Sequence, residues 1–290
     1  AWITYTLGAT CAFKAYGVFH TSAYLAGYLC LFLIELCSVF VNEYYDYETD
    51  RLNRNASPYN GGSRQLVEGS LSFADFKSGM AVAFMLLLGG MFLLVRSTPA
   101  IHAARITGVL LLGLCLGVGY TAPPIKFCYR GMGEFVVGFT HSSYMLLCGF
   151  FFQAGAWNVP GPWLLSVPIF FAVLAAIILS AFPDYSADRA VSKKSLPVVV
   201  GPRAAGTIAI LCVATAAFSA AIPIAIEGRY TLARVLLLTI AIPHAAALCI
   251  AISRVILDGR FDRRLDGEMR LALSFIIWFG LIPLAECLWS

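Results

Sequence analysis

Asn42, Asp46 and Asp50 recur every four residues in the segment NEYYDYETD, and Asp184 and Asp188 repeat that spacing in DYSADRAVSKKSLP. On an α-helix a step of four residues turns by only about 40°, so side chains spaced this way leave one side of the helix. The first motif offers three hard oxygen donors to one space, and the second offers two. Magnesium favours such ligands, commonly binds one or two carboxylates, and completes its shell with water and substrate phosphate. Two half-sites facing one another would each hold a magnesium ion, with a diphosphate bridging them. A purely structural origin competes with this reading, because acidic residues are ordinary at helix ends and Arg51, Arg54 and Arg189 are near enough to pair with them. The recurrence of the spacing, with basic residues after each copy, favours the clamp.

Basic residues supply the complementary half of that chemistry. A departing diphosphate gains negative charge as its carbon–oxygen bond breaks, and cations already in place lower the barrier. Arg64, Lys126, Arg130, Lys193 and Lys194 are the candidates, although a membrane protein also collects Lys and Arg on one face for topological reasons.

The elements that must position these residues are apolar helices. Hydrophobic residues make up 60% of the 290 and charged residues 12%, and the mean hydropathy is +0.80, which excludes an ordinary soluble domain with about 25% charge. Crossing the hydrocarbon takes about 20 apolar residues. Such runs centre near residues 10, 33, 85, 112, 142, 172, 214, 244 and 279, predicting an all-α, multi-pass bundle of about nine spans in one domain, 1–290. The first run is the weakest and does not have the pattern of a cleavable signal. With alternating spans, one face receives Arg51, Arg54, Arg64, Lys77, Lys126, Arg130, Arg189, Lys193, Lys194, Arg203, Arg254, Arg260, Arg263, Arg264 and Arg270. The other receives Arg96, Arg105, Arg229 and Arg234, and Lys14 is unassigned. The basic face is therefore expected to be cytoplasmic, with both acidic motifs on it and Ser290 outside. In a prokaryote this means the inner membrane. No basic tail or stacking motif points to nucleic acid. The nine cysteines are scattered through apolar runs and read as small packing residues.

Three connections carry the polar motifs: residues 45–74, residues 182–203, and YTAPPIKFCYRGMGE, whose Pro123 and Pro124 end the preceding helix. Four spans separate the acidic motifs, and an even number of crossings returns the chain to one face. Each motif is trailed by basic residues and a Ser-containing stretch, GGSRQLVEG in one half and KKSLPVVVG in the other, a pattern suggesting internal duplication.

In this order and spacing, NEYYDYETD, YTAPPIKFCYRGMGE and DYSADRAVSKKSLPVVVG resemble the UbiA superfamily of intramembrane prenyltransferases, over essentially the whole chain. The resemblance implies a nine-helix bundle around a central cavity. Two magnesium ions there hold an isoprenyl diphosphate whose lipid tail leaves through a side opening into the bilayer. Asn42, Asp46 and Asp50 match its first motif, Asp184 and Asp188 its second, and Tyr120 and Lys126 its third. Glu43 departs from the family's usual Asn-Asp pair, and GGSRQLVEG replaces the usual Arg-Pro-Leu-Pro-Ser-Gly stretch. The Gly-Gly form looks more like the menaquinone branch, whose members prenylate 1,4-dihydroxy-2-naphthoate. The implied reaction is ionisation of the diphosphate, capture of the carbocation by a hydrophobic or aromatic acceptor, and loss of a proton. Phe139, Tyr144, Phe150 and Phe151 are candidate cavity walls and His141 a candidate acceptor-side base, each also readable as packing. The roles of Glu43, Glu68 and Glu134 stay open. So do two other readings, the same ionisation with a different acceptor or intramolecular cyclisation, and a cation-coupled transporter.

Overall fold

Apolar stretches in a bilayer must satisfy their own backbone hydrogen bonds, and a helix does so within one segment. The computed structural model follows that rule: among the described residues the regular elements are helices, with one isolated bridge between Ser57 and Asn60. It describes residues 1–228 and 230–289, so the expected placements of Arg229 and Ser290 lie outside the described residues.

The helices are α1 (Trp2–Tyr16), α2 (Thr21–Tyr45), α3 (Tyr47–Leu52), α4 (Phe73–Arg96) and α5 (Ala103–Val118). Then come α6 (Gly133–Ala154, with a π-helical turn at Thr140–Tyr144), α7 (Pro160–Ser180), α8 (Tyr185–Ala190) and α9 (Leu196–Val200). The chain ends with α10 (Pro202–Ile226), α11 (Leu232–Leu257) and α12 (Asp266–Trp289). Seven of these (α2, α4, α6, α7, α10, α11 and α12) are long and apolar enough to cross a membrane. Of the other two expected spans, one appears as the shorter apolar helix α5, of 16 residues, and the other as α1, of 15 residues, which is less apolar, so among the described residues seven helices have full spanning length and nine is an approximate count.

Two apolar cores divide the bundle. Leu31, Leu87, Leu110 and Phe151 belong to the one built from α1, α2, α4, α5 and α6. Leu179, Val213, Leu248 and Phe275 belong to the one built chiefly from α7, α10, α11 and α12. The three polar connections meet at one end of the bundle, as the even number of crossings requires: Asn53 bonds Asp184, the Lys194 amide bonds the Cys128 carbonyl, and Asn55 bonds the Asp262 carbonyl. Lys14 lies at the opposite end, lining a cavity of about 420 Å³ with Arg234 and Glu286. The cysteines are free thiols; five are buried, Cys115 is exposed, and Cys11 and Cys287 approach to 4.0 Å between α1 and α12, a proximity 276 residues of separation conceal.

Helices associate in a membrane through close packing of small residues, because lipid offers no hydrophobic drive between apolar surfaces. The α1–α6 contact is of this kind. A methyl group on Gly8 would run into the Leu146 carbonyl, and one on Gly149 into the Tyr5 carbonyl. Both obstacles are backbone and cannot swing aside. Gly149→Val should therefore destabilise the bundle by at least about 3 kcal/mol, lowering the yield and melting temperature of monodisperse protein in detergent. Gly89→Val, where the added group meets open space, should leave both unchanged.

Candidate active site

Two backbone breaks place the acidic residues. α2 is interrupted at Asp46 (φ −91°, ψ 4°) before the six-residue helix α3. α7 ends at Ser180, and a short connection through Pro183 leads to Asp184 (φ −91°, ψ −5°), which immediately precedes the six-residue helix α8. The fourth residue of each short helix is the second aspartate, Asp50 or Asp188. Four-residue hydrogen bonds span the first break, from Asp46 N to Asn42 O at 2.8 Å and Asp50 N to Asp46 O at 2.9 Å, whereas in the second motif the bond from Asp188 N to Asp184 O at 2.8 Å closes the first turn of α8. In the first motif the stacking expected of a continuous helix therefore survives interruption, and in both an aspartate stands immediately before the short helix that carries the next one, the limited backbone counterpart of the duplication suggested by sequence.

Lys193 joins the two modules. Its Nζ is 2.7 Å from Asp46 Oδ2 and 3.9 Å from Asp188 Oδ1, with side-chain exposures of 13%, 4% and 5% for the three groups, so water screens this contact little. The connection after α3 then crosses over the second module. Asn53 and Asn60 both donate from Nδ2 to Asp184 Oδ1, at 2.6 and 2.9 Å. Asn55 anchors the strap to the Asp262 carbonyl at 2.8 Å. Glu43 accepts the Ser63 N–H, and Arg64 donates from an Nη to the Asp50 carbonyl at 2.9 Å. Gly62 is required where the strap passes: its φ is +68°, and an added Cβ would sit 2.8 Å from both Asp50 Oδ2 and Glu43 Oε1. Beneath lies a polar cavity of about 70 Å³ lined by Tyr120, Glu134, Asp184, Asp188, Lys193 and Ser195 among others.

Burial governs the electrostatics. It pushes Asp50 up to about 8, with Asp46 and Glu43 adding to the rise. It pushes Asp184 up to about 6, against the stabilising bond from Asn60, and it raises Asp188 too, opposed by Lys193. Burial works against the Lys193 ammonium, yet Asp46, Tyr120 and Asp188 outweigh it and hold the group well above the ordinary lysine range. Among the described residues, no three His, Cys, Asp or Glu side chains converge tightly enough to hold a metal ion as they stand. Two buried oxygens nevertheless lack any hydrogen-bond partner, Asn42 Oδ1 and Asp46 Oδ1. A buried acceptor without a donor is costly and rare. Hard oxygen donors without protons suit a divalent cation that takes its remaining ligands from phosphate and water, so these residues fit magnesium.

The remaining expected residues are placed differently. Lys126 lies over the Tyr129 ring, its Nζ 4.8 Å from the centroid. Arg130 is exposed and donates to the Pro124 carbonyl at 2.9 Å. Lys194 is exposed, because the turn closed by Lys193 N on Asp188 O at 2.9 Å sends its predecessor inward. Glu68 makes a surface pair with Arg64 at 3.7 Å, whereas Glu134 accepts the Leu196 N–H at 2.6 Å and orders the approach to α9. The aromatic candidates are chiefly packing groups. Phe150 and Phe151 are 1% exposed, and buried Tyr144 donates to the Val109 carbonyl at 2.9 Å. Sequence reading missed Asn53, Asn55 and Asn60, whose signal was three amides within a turn-rich loop directly after an acidic motif.

An apolar cleft of about 650 Å³, lined by Val41, Phe84, Leu114, Val118 and Ile125 among others, opens between α2, α4 and α5.

This arrangement agrees with comparisons to known proteins. The chain is 25% identical over 179 residues to 1,4-dihydroxy-2-naphthoate octaprenyltransferase of Bacillus subtilis, covering 62% of this chain and 55% of that one. It is 27% identical over 224 residues to chloroplastic chlorophyll synthase of Arabidopsis thaliana, covering 72% and 53%. It thus spans about half the length of these two curated relatives. The fold matches a UbiA homologue of Archaeoglobus fulgidus solved with GPP and Mg2+, at a TM-score of 0.59 and 19% identity, covering 98% of this chain and 96% of that one. The description "UbiA prenyltransferase family" matches residues 1–265, and the chain is therefore a member of that family, an integral membrane protein of its all-helical fold.

Proposed function

We propose that this protein is a magnesium-dependent prenyltransferase that moves an isoprenyl group from a prenyl diphosphate to an aromatic quinone precursor, with a 1,4-dihydroxy-2-naphthoate-type acceptor favoured. One observation carries the reading: the two aspartate motifs meet across Lys193, with buried oxygens on Asn42 and Asp46 left unpartnered. Asn42, Asp46 and Asp50 would hold one magnesium ion, and Asp184 and Asp188 a second. When bound, the metal supplies charge to orient the diphosphate and stabilise it as it leaves.

This chain's own residues do the rest. Lys193 presents a buried ammonium to the diphosphate oxygens and is the residue best placed to exchange a carboxylate for a phosphate partner. Arg64, which braces the strap beside Asp50, closes over the leaving group. Tyr120 lines the floor of the polar cavity beside Lys193. The apolar cleft that Val41 borders receives the isoprenyl tail, and its lining keeps water from a carbocation that hydrolysis would otherwise consume. The acceptor carbon attacks that cation, and a ring proton is lost. The site opens toward the basic, cytoplasmic face, and residues 1–290 act as one catalytic unit.

Asp46→Asn and Asp184→Asn should each lower acceptor-dependent transfer by at least about 100-fold, read by mass of the prenylated product; full activity in either removes the clamp. The same assay with 4-hydroxybenzoate in place of the naphthoate tests the branch, and transfer to the former alone would overturn it.

Acid should weaken metal binding. The folded pKa values of Asp50 and Asp184 lie above those of an unfolded chain, so their contribution to stability is full below about pH 4 and is lost as pH rises through about 6 and about 8. Magnesium reverses this by favouring the ionised forms. Its apparent affinity should rise by up to about tenfold per pH unit between pH 6 and 8 for each proton released. A magnesium titration of the melting temperature at three pH values checks the slope, and a flat response contradicts it.

Filling the cleft should select among substrates. Val118→Trp should raise KM for long prenyl diphosphates while sparing a five-carbon one; an equal effect on both would place the tail elsewhere.

A further inference from the structure

Cys11 on α1 and Cys287 on α12 bring their sulfurs to 4.0 Å across 276 residues of sequence. The packing of the two helices makes this approach. A Cβ added to Gly280 of α12 would stand 2.8 Å from Ile3 Cγ2 of α1, so the helices are already close there. Cys11 lies eight residues beyond Ile3 and Cys287 seven beyond Gly280, which are rises of about 12 and about 11 Å on a helix. α1 and α12 therefore run parallel and in step from one contact to the next. Ile3, Cys11 and Cys287 pack against the core built chiefly from α7, α10, α11 and α12, whereas Tyr5 of α1 belongs to the other core. A covalent bond at this point would tie the two cores together.

The pair is also within reach of a reagent. Both cysteines are half-buried and line the cavity of about 420 Å³ at the end opposite the acidic motifs. Lys14 lines the same cavity one turn beyond Cys11, and a cation beside a thiol favours the thiolate, the form that attacks a disulfide. The other cysteines are placed differently. Cys30, Cys37, Cys128, Cys148 and Cys212 are buried and Cys115 is exposed, while Cys249 turns its Sγ to the Ile210 carbonyl at 4.0 Å. With the acidic motifs on the cytoplasmic face, as proposed above, Cys11 and Cys287 lie toward the non-cytosolic side, where disulfides form and persist.

We infer that Cys11 and Cys287 are a redox modification site, a thiol pair that a small organic disulfide oxidises to a covalent staple between α1 and α12. One thiolate attacks a sulfur of the oxidant, breaking its S–S bond and releasing one half as a thiolate. The second cysteine thiolate then attacks the cysteine sulfur of that mixed disulfide. The Cys11–Cys287 bond forms, and the other half of the oxidant leaves. The two protons lost by the cysteines end on the two released thiolates, so the oxidant is reduced to two thiols as the protein is oxidised by two electrons. A disulfide sets its sulfurs about 2.0 Å apart, so the side chains turn toward each other about their Cα–Cβ bonds as the bond forms. The staple closes nearly the whole chain into one loop, and it lies away from the clamp, so it acts on stability and not on the transfer chemistry.

The test treats the full-length protein, purified reduced in detergent, with 4,4′-dithiodipyridine. Remaining thiols are then alkylated, and the protein is digested without reduction for mass spectrometry. The expected product is one linked peptide pair containing Cys11 and Cys287, lighter by two hydrogens than the sum of its reduced halves and running as monomer on a non-reducing gel. Its melting temperature should rise by at least about 5 °C and return on treatment with dithiothreitol. Cys11→Ser and Cys287→Ser should each lose both the link and the shift, whereas Cys115→Ser, which removes the exposed thiol, should keep both. Pyridyl adducts on Cys11 or Cys287 with no link between them, a link joining two chains, or a link that leaves the melting temperature unchanged would overturn the staple. Should either Ser variant fail to fold, the mapped link and its reversible shift in the wild type decide the matter. None of these outcomes depends on the transferase reading.

Discussion

Buried carboxylates at one end of an apolar bundle are the constraint around which the rest is arranged. Asp46, Asp50 and Asp188 are each less than a tenth exposed, and an ionised carboxylate removed from water costs several kcal/mol unless paired. The chain meets that cost in three ways. One ammonium, Lys193, is drawn between the two modules. Two loop amides, Asn53 and Asn60, cross over to Asp184. Protonation takes up part of the remainder, which is why Asp50 and Asp184 sit so far above the ordinary carboxylate range. The oxygens still unpartnered, on Asn42 and Asp46, mark where a divalent cation would complete the balance.

The same burial serves the proposed chemistry. Charges that water screens little act strongly on a departing diphosphate, and a site roofed by the strap from Asn53 to Arg64 and flanked by an apolar cleft offers a cation few water molecules to react with. The helix breaks at Asp46 and Asp184 allow this. They turn the chain out of the hydrocarbon, and in each half a short helix that begins directly after one aspartate carries the next one four residues on, so two similar half-sites arise.

The bundle and the acidic residues were legible in the sequence because each depends on short-range pattern. Apolar runs specify helices without reference to their neighbours, and four-residue spacing specifies a shared face. What the sequence concealed depends on tertiary placement. Lys193 and Lys194 are adjacent and chemically alike, and which one turns inward is decided by a backbone bond to Asp188. Lys126 seemed equivalent to both, yet it stacks on Tyr129. Glu43, an apparent departure from the family pattern, holds the Ser63 amide and so the strap. Phe150 and Phe151 could have lined a cavity on composition alone, whereas helix packing buries them. Glu35 carries no motif as one carboxylate within an apolar run, and its approach to His141 at 3.7 Å is set by the packing of α2 against α6.

The most direct test of the central claim, that the two aspartate breaks form one metal-diphosphate site, is anomalous scattering from crystals grown with Mn2+ and a non-hydrolysable prenyl thiodiphosphate. The account predicts two metal peaks, one on Asp46 and Asp50 and one on Asp184 and Asp188, bridged by the diphosphate with Lys193 turned onto its oxygens. Diphosphate bound elsewhere, or metal confined to exposed carboxylates while Lys193 stays on Asp46, would contradict it.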